Sequence, residues 1–188
     1  MLSARNLILI TVCCVTVASN HPRSGAEEKP DQTTAEQPAA VVTRNRVQLN
    51  LAGADLIIAA ARVKADAMKL KMNIAVVDDG GHLLAFARMD GARPASGYTA
   101  LTKATTAATF RQETGPIPKA EPDMLLSLSL QNAAQASGGK LTTLKGGVPI
   151  IVDGQVIGAV GIGGGTGEQD AEVAKLGIQA LMDRLAAK

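Results

Sequence analysis

A glycine-rich stretch near the carboxyl end, "GGGTGEQD", carries two carboxylates where they could do chemistry. Glu168 and Asp170 fall in the first turn of the last predicted helix, and Gly164 and Gly165 leave room for a ligand beside them. A phosphate-binding loop presents free backbone N–H groups and usually a lysine to the anion. The two carboxylates complement the helix dipole themselves and would repel a phosphate, so the stretch argues against a nucleotide site.

The same stretch also has a structural interpretation. Thr166 as N-cap and Gln169 three residues later have the spacing of a capping box. A cap does not explain the crowding of five glycines, which are Gly161, Gly163, Gly164, Gly165 and Gly167. We therefore expect these glycines to open a cavity against the sheet.

Two cations elsewhere in the chain, Arg93 and Lys103, could bind a carboxylate of a ligand. If Lys103 lies next to the glycine stretch, Glu168 or Asp170 could act as general base in a small-molecule enzyme. The sequence leaves open whether the protein is an enzyme. It predicts no separate metal site.

The elements that must position these residues follow from the period of the apolar side chains. The predicted helices and strands, in chain order, are a helix at Leu49–Met72, strands at Asn73–Asp78 and His82–Met89, helices at Gly97–Phe110 and Asp123–Ala136, strands at Leu141–Lys145, Val148–Val152 and Gln155–Ile162, and a helix at Glu168–Ala187. This order predicts an α/β (α+β) fold, with a five-stranded antiparallel sheet and flanking helices.

Local signals refine these elements. Asn50, Ser96 and Asp123 are expected to cap the first three helices. Pro149 has no N–H to donate, which places its strand at a sheet edge or the proline at the start of its strand.

The second strand is apolar on both sides. Simple alternation puts Leu83 and Ala85 on one face and Leu84 and Phe86 on the other. Both faces of the sheet should therefore be covered, by helices or by a partner subunit.

The first residues have the layout of an export signal. Arg5 precedes an apolar stretch, Leu7 to Val17, that is too short to span a bilayer comfortably and is followed by small residues. We predict a secretory signal peptide over residues 1–19 and a secreted or periplasmic protein.

Beyond the signal, residues 20–47 are rich in Pro, Gln, Thr and charged side chains, which predicts a flexible tether before a folded domain at 48–188. Both cysteines, Cys13 and Cys14, lie in the signal, so the trimmed protein would have no disulfide, zinc–thiolate site or cysteine nucleophile. Lipid anchoring through one of these cysteines is an alternative to free export.

Composition argues against nucleic acid as a partner. Aromatic residues make up 2% of the chain and the formal net charge is +2. Proteins that bind single strands need stacking aromatic side chains along a basic groove.

Several segments, in this order, resemble the GlcG/HbpS family of haem-binding and haem-degrading proteins. They are "AVVDDGGHLLAFARMDGA", "TKATTAATF" and "GGVPIIVDGQVIGAVGIGGGTGEQDAEVAK". The likeness covers about residues 48–188. It implies an antiparallel sheet with helices, a homo-oligomer built from dimers and extending to octamers, haem near subunit contacts, and in some members a membrane sensor as partner. It also implies haem degradation or iron sequestration in some members.

Haem binding needs an apolar slot, an iron ligand and cations for the propionates. The resemblance makes His82 and Tyr98 candidate ligands, although the residue pattern favours His82 as a polar residue at the end of a turn. It also implicates threonines on the helix after the hairpin. The full set of predicted haem contacts is Tyr98, Thr102, Thr105, Thr106, His82, Arg93, Gly164 and Gly165, with Lys103 as a further cation.

Three hypotheses about function remain. The first is an exported haem-binding protein that also degrades haem or sequesters iron. The second is an enzyme acting on a small carboxylate with Asp170 or Glu168 as base. The third is a structural or sensory module whose oligomer surface is functional.

Overall fold

The residues described by the computed structural model, 42–117 and 121–187, form four helices and four strands. In chain order they are α1 (Leu51–Ala67), β1 (Asn73–Asp78), β2 (Leu83–Arg88), α2 (Ser96–Phe110), α3 (Met124–Ala136), β3 (Gly147–Val152), β4 (Gln155–Gly163) and α4 (Gly167–Ala186). The predicted signal peptide and most of the predicted tether lie outside the described residues. Within the described ranges, none of the helices has both the length and the apolar character that crossing a membrane requires.

The strands form one antiparallel sheet in the order β2-β1-β4-β3. Because β3 lies at an edge, Pro149 sits where a missing N–H is tolerated, as predicted. Helix α2 covers one face, and α1 and α4 cover the other. Helices of the same chain therefore cover both faces of the central strands β1 and β4, whereas Leu83 and Phe86 of the edge strand β2 remain exposed.

The prediction of five strands is wrong, because Leu141–Lys145 belongs to no strand. Backbone N–H groups in this segment bond to hydroxyl oxygens instead of a neighbouring strand. The N–H of Thr142 donates to Thr106 Oγ1 (2.9 Å), and that of Leu144 donates to Thr142 Oγ1 (3.1 Å). Local side-chain acceptors of this kind compete with a strand ladder.

Strand β2 contains a bulge that breaks simple alternation. Val77 pairs with Leu83 and Val76 with Ala85, so Leu84 is an extra residue. Leu83 and Phe86 therefore lie on the same side of the sheet, the side of α2, whereas simple alternation predicted that they lie on opposite faces.

Three of the predicted helix caps are confirmed. Asn50 accepts from the N–H of Gly53, and Asp123 accepts from the first N–H groups of α3. Thr166 and Gln169 form the predicted capping box at the start of α4. These side chains satisfy donors that have no partner within the helix.

The cap predicted for α2 is wrong. Ser96 is the first residue of the helix, and the cap position is Ala95, which makes no side-chain bond. The Ser96 hydroxyl instead accepts a hydrogen bond from Arg93 Nε (2.9 Å). Ser96 therefore orients a guanidinium group at the start of α2.

Helix α2 lies unusually close to the sheet because glycines face it. A Cβ at Gly161 would lie 2.1 Å from the carbonyl oxygen of Ala100, and one at Gly163 would lie 2.4 Å from that of Ser96. Gly147 of β3 faces α2 in the same way. Two of the five crowded glycines thus serve helix–sheet packing and do not open a cavity.

Candidate functional site

A cavity of about 460 Å³ lies between the β1–β2 turn, α2 and the residues after α3. We call it the turn cavity. Its lining residues are Gly80, Gly81, His82, Leu83, Tyr98, Leu101, Thr102, Thr105, Gly138, Gly139 and Lys140. Four predicted haem contacts, His82, Tyr98, Thr102 and Thr105, come together here.

Hydrogen bonds hold the hairpin turn against α2. Thr105 Oγ1 donates to the carbonyl oxygen of Gly81 (3.1 Å), and Gly81 has the positive φ of 81° that glycine adopts readily. Within the turn, Asp78 Oδ1 accepts from the N–H groups of Gly80 (2.9 Å) and His82 (2.8 Å). Two walls of the turn cavity are therefore fixed relative to each other.

The strongest potential iron donors lie at the mouth of this cavity. The His82 side chain is 82% exposed, with Nδ1 3.3 Å from Asp78 Oδ1. Tyr98 is 79% exposed, so its phenol is accessible as well. The Thr102 hydroxyl donates to the carbonyl oxygen of Thr99 (3.2 Å) and keeps its lone pairs for another partner.

Thr106 lies outside the turn cavity. It is buried, donates to the carbonyl oxygen of Thr102 (2.7 Å) and accepts from the N–H of Thr142. Its hydroxyl holds the segment after α3 against α2, which is a structural role.

A second cavity, of about 450 Å³, lies beside the glycine stretch. We call it the glycine-loop cavity. Its lining residues are Arg93, Thr99, Lys103, Pro116, Thr143, Leu144, Lys145, Gly164, Gly165, Gly167 and Asp170. The predicted residues Arg93, Lys103, Gly164, Gly165 and Asp170 thus belong to this cavity and are separate from the turn cavity.

Lys103 and Asp170 form a buried ion pair in the wall of the glycine-loop cavity. Lys103 Nζ lies 2.6 Å from Asp170 Oδ2, and the two side chains are 6% and 2% exposed. Lys103 also donates to the carbonyl oxygen of Ile162 (2.9 Å), and Asp170 Oδ1 accepts from the N–H of Gly165 (2.9 Å). The pair therefore links α2, the end of β4 and the start of α4.

These contacts disfavour a general-base role for either predicted carboxylate. The Asp170 side chain is 2% exposed and its carboxylate already accepts from Lys103 and Gly165, so little of it can contact a substrate. Glu168 does not line the cavity and forms an ion pair with Lys145. Lys103 does lie next to Asp170, as predicted, but the two side chains bind each other as a buried ion pair.

Sequence reasoning missed several lining residues. In the turn cavity these are Leu83, Leu101 and Lys140, and in the glycine-loop cavity they include Lys145. The dipeptide Gly138-Gly139 before Lys140 was an available signal, since both glycines have positive φ and mark a turn. Within the described ranges, no three His, Cys, Asp or Glu side chains meet in a way that could hold a metal ion.

Comparisons with known proteins agree with this architecture. The chain is 44% identical over 119 residues to "Protein GlcG" of Escherichia coli strain K12, covering 63% of this chain and 84% of that protein. The crystal structure of Klebsiella pneumoniae protein ORFY is similar with a TM-score of 0.64 and 30% identity, over 77% of this chain and 98% of the other. The crystal structure of a PduOC–haem complex is similar with a TM-score of 0.58 and 26% identity, over 71% and 95% of the two chains.

A sequence model of one protein family matches residues 49–179, which include all four strands and most of the helical residues. That family is described as "Haem degrading protein HbpS-like". The resemblance inferred from the quoted segments is confirmed, and this chain belongs to the HbpS-like family.

Proposed function

We propose that this protein binds haem in the turn cavity. One observation carries the proposal: two accessible iron donors, His82 and Tyr98, meet two leucines, Leu83 and Leu101, around one cavity of about 460 Å³. This volume lies in the range of cofactor pockets. The similar PduOC structure is a complex with haem, which supports the same ligand class here.

The surroundings of the turn cavity suit a flat, mostly apolar molecule with acidic edges. A neighbouring cavity of about 390 Å³ shares Leu83, Tyr98 and Leu101 with it and adds Phe86 and Arg88. Arg88 and the turn-cavity residue Lys140 line these two adjoining cavities and would hold propionates. When bound, haem would supply redox-active iron, and the chain would supply its position and one ligand.

Hemin titration of the purified protein tests this proposal. We expect a shifted Soret band that saturates at about one haem per chain. Tyr98→Phe and His82→Ala should each be compared with Thr143→Val, a control in the glycine-loop cavity. A changed spectrum in one of the first two variants would identify the ligand. Unchanged hemin spectra on adding the wild-type protein would contradict the proposal.

We further propose that the chain forms a homo-oligomer. Helix α3 exposes four large apolar side chains, and only Leu130 and Ala134 of this helix are buried. The exposed ones are Met124, Leu125, Leu126 and Leu128. So many exposed large apolar side chains on one short helix favour burial against another subunit. Octameric assembly and a membrane sensor partner stay predictions from the family resemblance.

Haem degradation, iron sequestration and export complete the proposed function. The family's description supports the first of these. Incubation of the haem complex with ascorbate and oxygen should bleach the Soret band and release chelatable iron, whereas a stable band would restrict the function to binding.

Mass spectrometry of protein from the producing cells should find an N-terminus between Ala18 and Asn20 if residues 1–19 are an export signal.

A further inference from the structure

The glycine-loop cavity contains one positive charge that no described carboxylate neutralises. Lys103 pairs with Asp170, and Lys145 pairs with Glu168. Arg93 lines the same cavity and forms no ion pair with a described residue. The cavity therefore has the charge that suits a monoanion.

Arg93 is held in a way that leaves its outer edge free. Its Nε donates to the buried hydroxyl of Ser96 (2.9 Å), and its own carbonyl oxygen accepts from Asn73 Nδ2 (3.0 Å). The two terminal amino groups of the guanidinium remain as a parallel pair of donors. Such a pair matches the two oxygens of a carboxylate.

Lys103 provides an independent indication of a ligand. An ammonium group has three N–H donors, and two of them are used, by Ile162 and Asp170. The side chain is 6% exposed and lines the cavity, so its third N–H donor is available to an acceptor in the cavity. A ligand oxygen there would complete the hydrogen bonding of the ammonium.

The rest of the lining contains short polar and apolar groups. Thr99 Oγ1 donates to the carbonyl oxygen of Ser96 and can still accept, while Pro116 and Leu144 offer apolar surface. Phosphate would bring more negative charge than one free cation can balance, next to Asp170 and Glu168. The cavity shares no lining residue with the turn cavity.

We propose that the glycine-loop cavity is a second binding site, separate from the proposed haem site, for a small organic acid with one carboxylate and a short apolar part. Arg93 binds the carboxylate through both terminal amino groups, and Lys103 donates one further hydrogen bond. The structure thus places an acid site and a haem site on two sides of helix α2.

Calorimetric titration with butyrate tests this site, with butyramide as the uncharged control and inorganic phosphate as the alternative anion. We expect saturable butyrate binding with a dissociation constant of about 1 mM or below, and much weaker binding of the other two. Absence of saturable butyrate binding, equal binding of butyramide, or tighter binding of phosphate would overturn the proposal.

Variants at two arginines locate the site. Arg93→Gln should weaken butyrate binding about tenfold or more, and Arg93→Lys should weaken it less, since lysine keeps the charge but not the paired donors. Arg62→Gln makes the same change on the exposed side of α1, outside both proposed sites, and should bind butyrate like the wild type. Unchanged melting temperatures would show that the variants fold. Wild-type affinity in Arg93→Gln would overturn the assignment.

Hemin titration of Arg93→Gln separates this proposal from the haem proposal. Unaltered hemin binding together with lost butyrate binding supports two sites. Loss of both affinities in a folded variant would overturn their separation.

Discussion

At the scale of single residues, the contact between Lys103 and Asp170 fixes one wall of the glycine-loop cavity. Two charges have been removed from water, and each has a further hydrogen bond, to Ile162 and from Gly165. A buried pair of this kind adds little stability compared with apolar side chains of similar size, but loss of one partner leaves the other charge uncompensated.

Asp170→Asn should therefore destabilise the fold by about 3 to 5 kcal/mol, measured as the free energy of unfolding in urea. The reason is that the Lys103 ammonium would remain buried without a counterion. Glu168→Gln breaks the exposed pair with Lys145 and should cost at most about 1 kcal/mol. Equal losses in the two variants would contradict this interpretation of the buried pair.

At the scale of secondary structure, the positions of the glycines decide how close α2 comes to the sheet. Gly161 does not have a positive φ, so it is required for space and not for backbone conformation. The carbonyl oxygen of Ala100 and the N–H of Ala104 occupy the volume that a Cβ would need. Because α2 carries lining residues of both cavities, this approach sets the shape of both.

Gly161→Ala should destabilise the protein by about 3 kcal/mol or more, because backbone atoms of α2 cannot move away singly. Gly53→Ala is a suitable control, since the flexible end of Leu49 is the one close neighbour of the added methyl group, the other neighbours lie at ordinary contact distance (3.5 Å), and alanine favours the helix. The control should stay within about 1 kcal/mol of the wild type. Thermal unfolding of both variants measures the difference, and a stable Gly161→Ala would contradict the close approach.

Much of this fold could be predicted where periodicity and capping signals agree. Helix α4 with Thr166 and Gln169 is the clearest case. The bulge at Leu84 could not be predicted, because the residue types around it do not interrupt the alternating pattern. Only the pairing with β1 identifies Leu84 as the extra residue. The strand predicted at Leu141–Lys145 is absent because N–H groups of this segment bond to threonine hydroxyls, one of them on α2.

The candidate site was predictable in its residue types but not in its geometry. Lys103 and Asp170 were both identified, but they are 67 residues apart, and their mutual burial depends on how α2 packs over β4. Arg93 was expected to hold a carboxylate, either a haem propionate or a small acid, and the structure places it in the glycine-loop cavity. Tertiary packing, which a single sequence does not determine, decides these points.

At the scale of the whole molecule, α3 is the helix that packs least against the other described helices and strands. It makes no extensive contact with another described helix or strand. Gly138 and Gly139, which line the turn cavity, follow directly after the C-terminal end of α3. Assembly through α3 would therefore also shape the proposed haem site.

If the chain assembles as proposed, Leu125→Asp should convert the oligomer into smaller species, because a charge cannot be buried in an apolar interface without a partner. Leu125 is 76% exposed in the single chain, so the subunit itself should remain folded. Val63→Asp makes the same kind of change on α1, where the side chain is 70% exposed, and should leave the assembly intact. Sedimentation velocity measures both, and an unchanged distribution for Leu125→Asp would exclude α3 from the interface.

The position of Tyr98 has a practical consequence. The chain has one tyrosine and no tryptophan, so its near-ultraviolet emission comes from a ring that borders the turn cavity. Hemin should quench that emission by energy transfer as it binds, whereas butyrate should leave it unchanged. Tyr98→Phe supplies the dark baseline, and quenching by butyrate alone would show that the two cavities had been assigned to the wrong ligands. The intrinsic fluorescence of Tyr98 therefore reports directly on the surface where haem is proposed to bind.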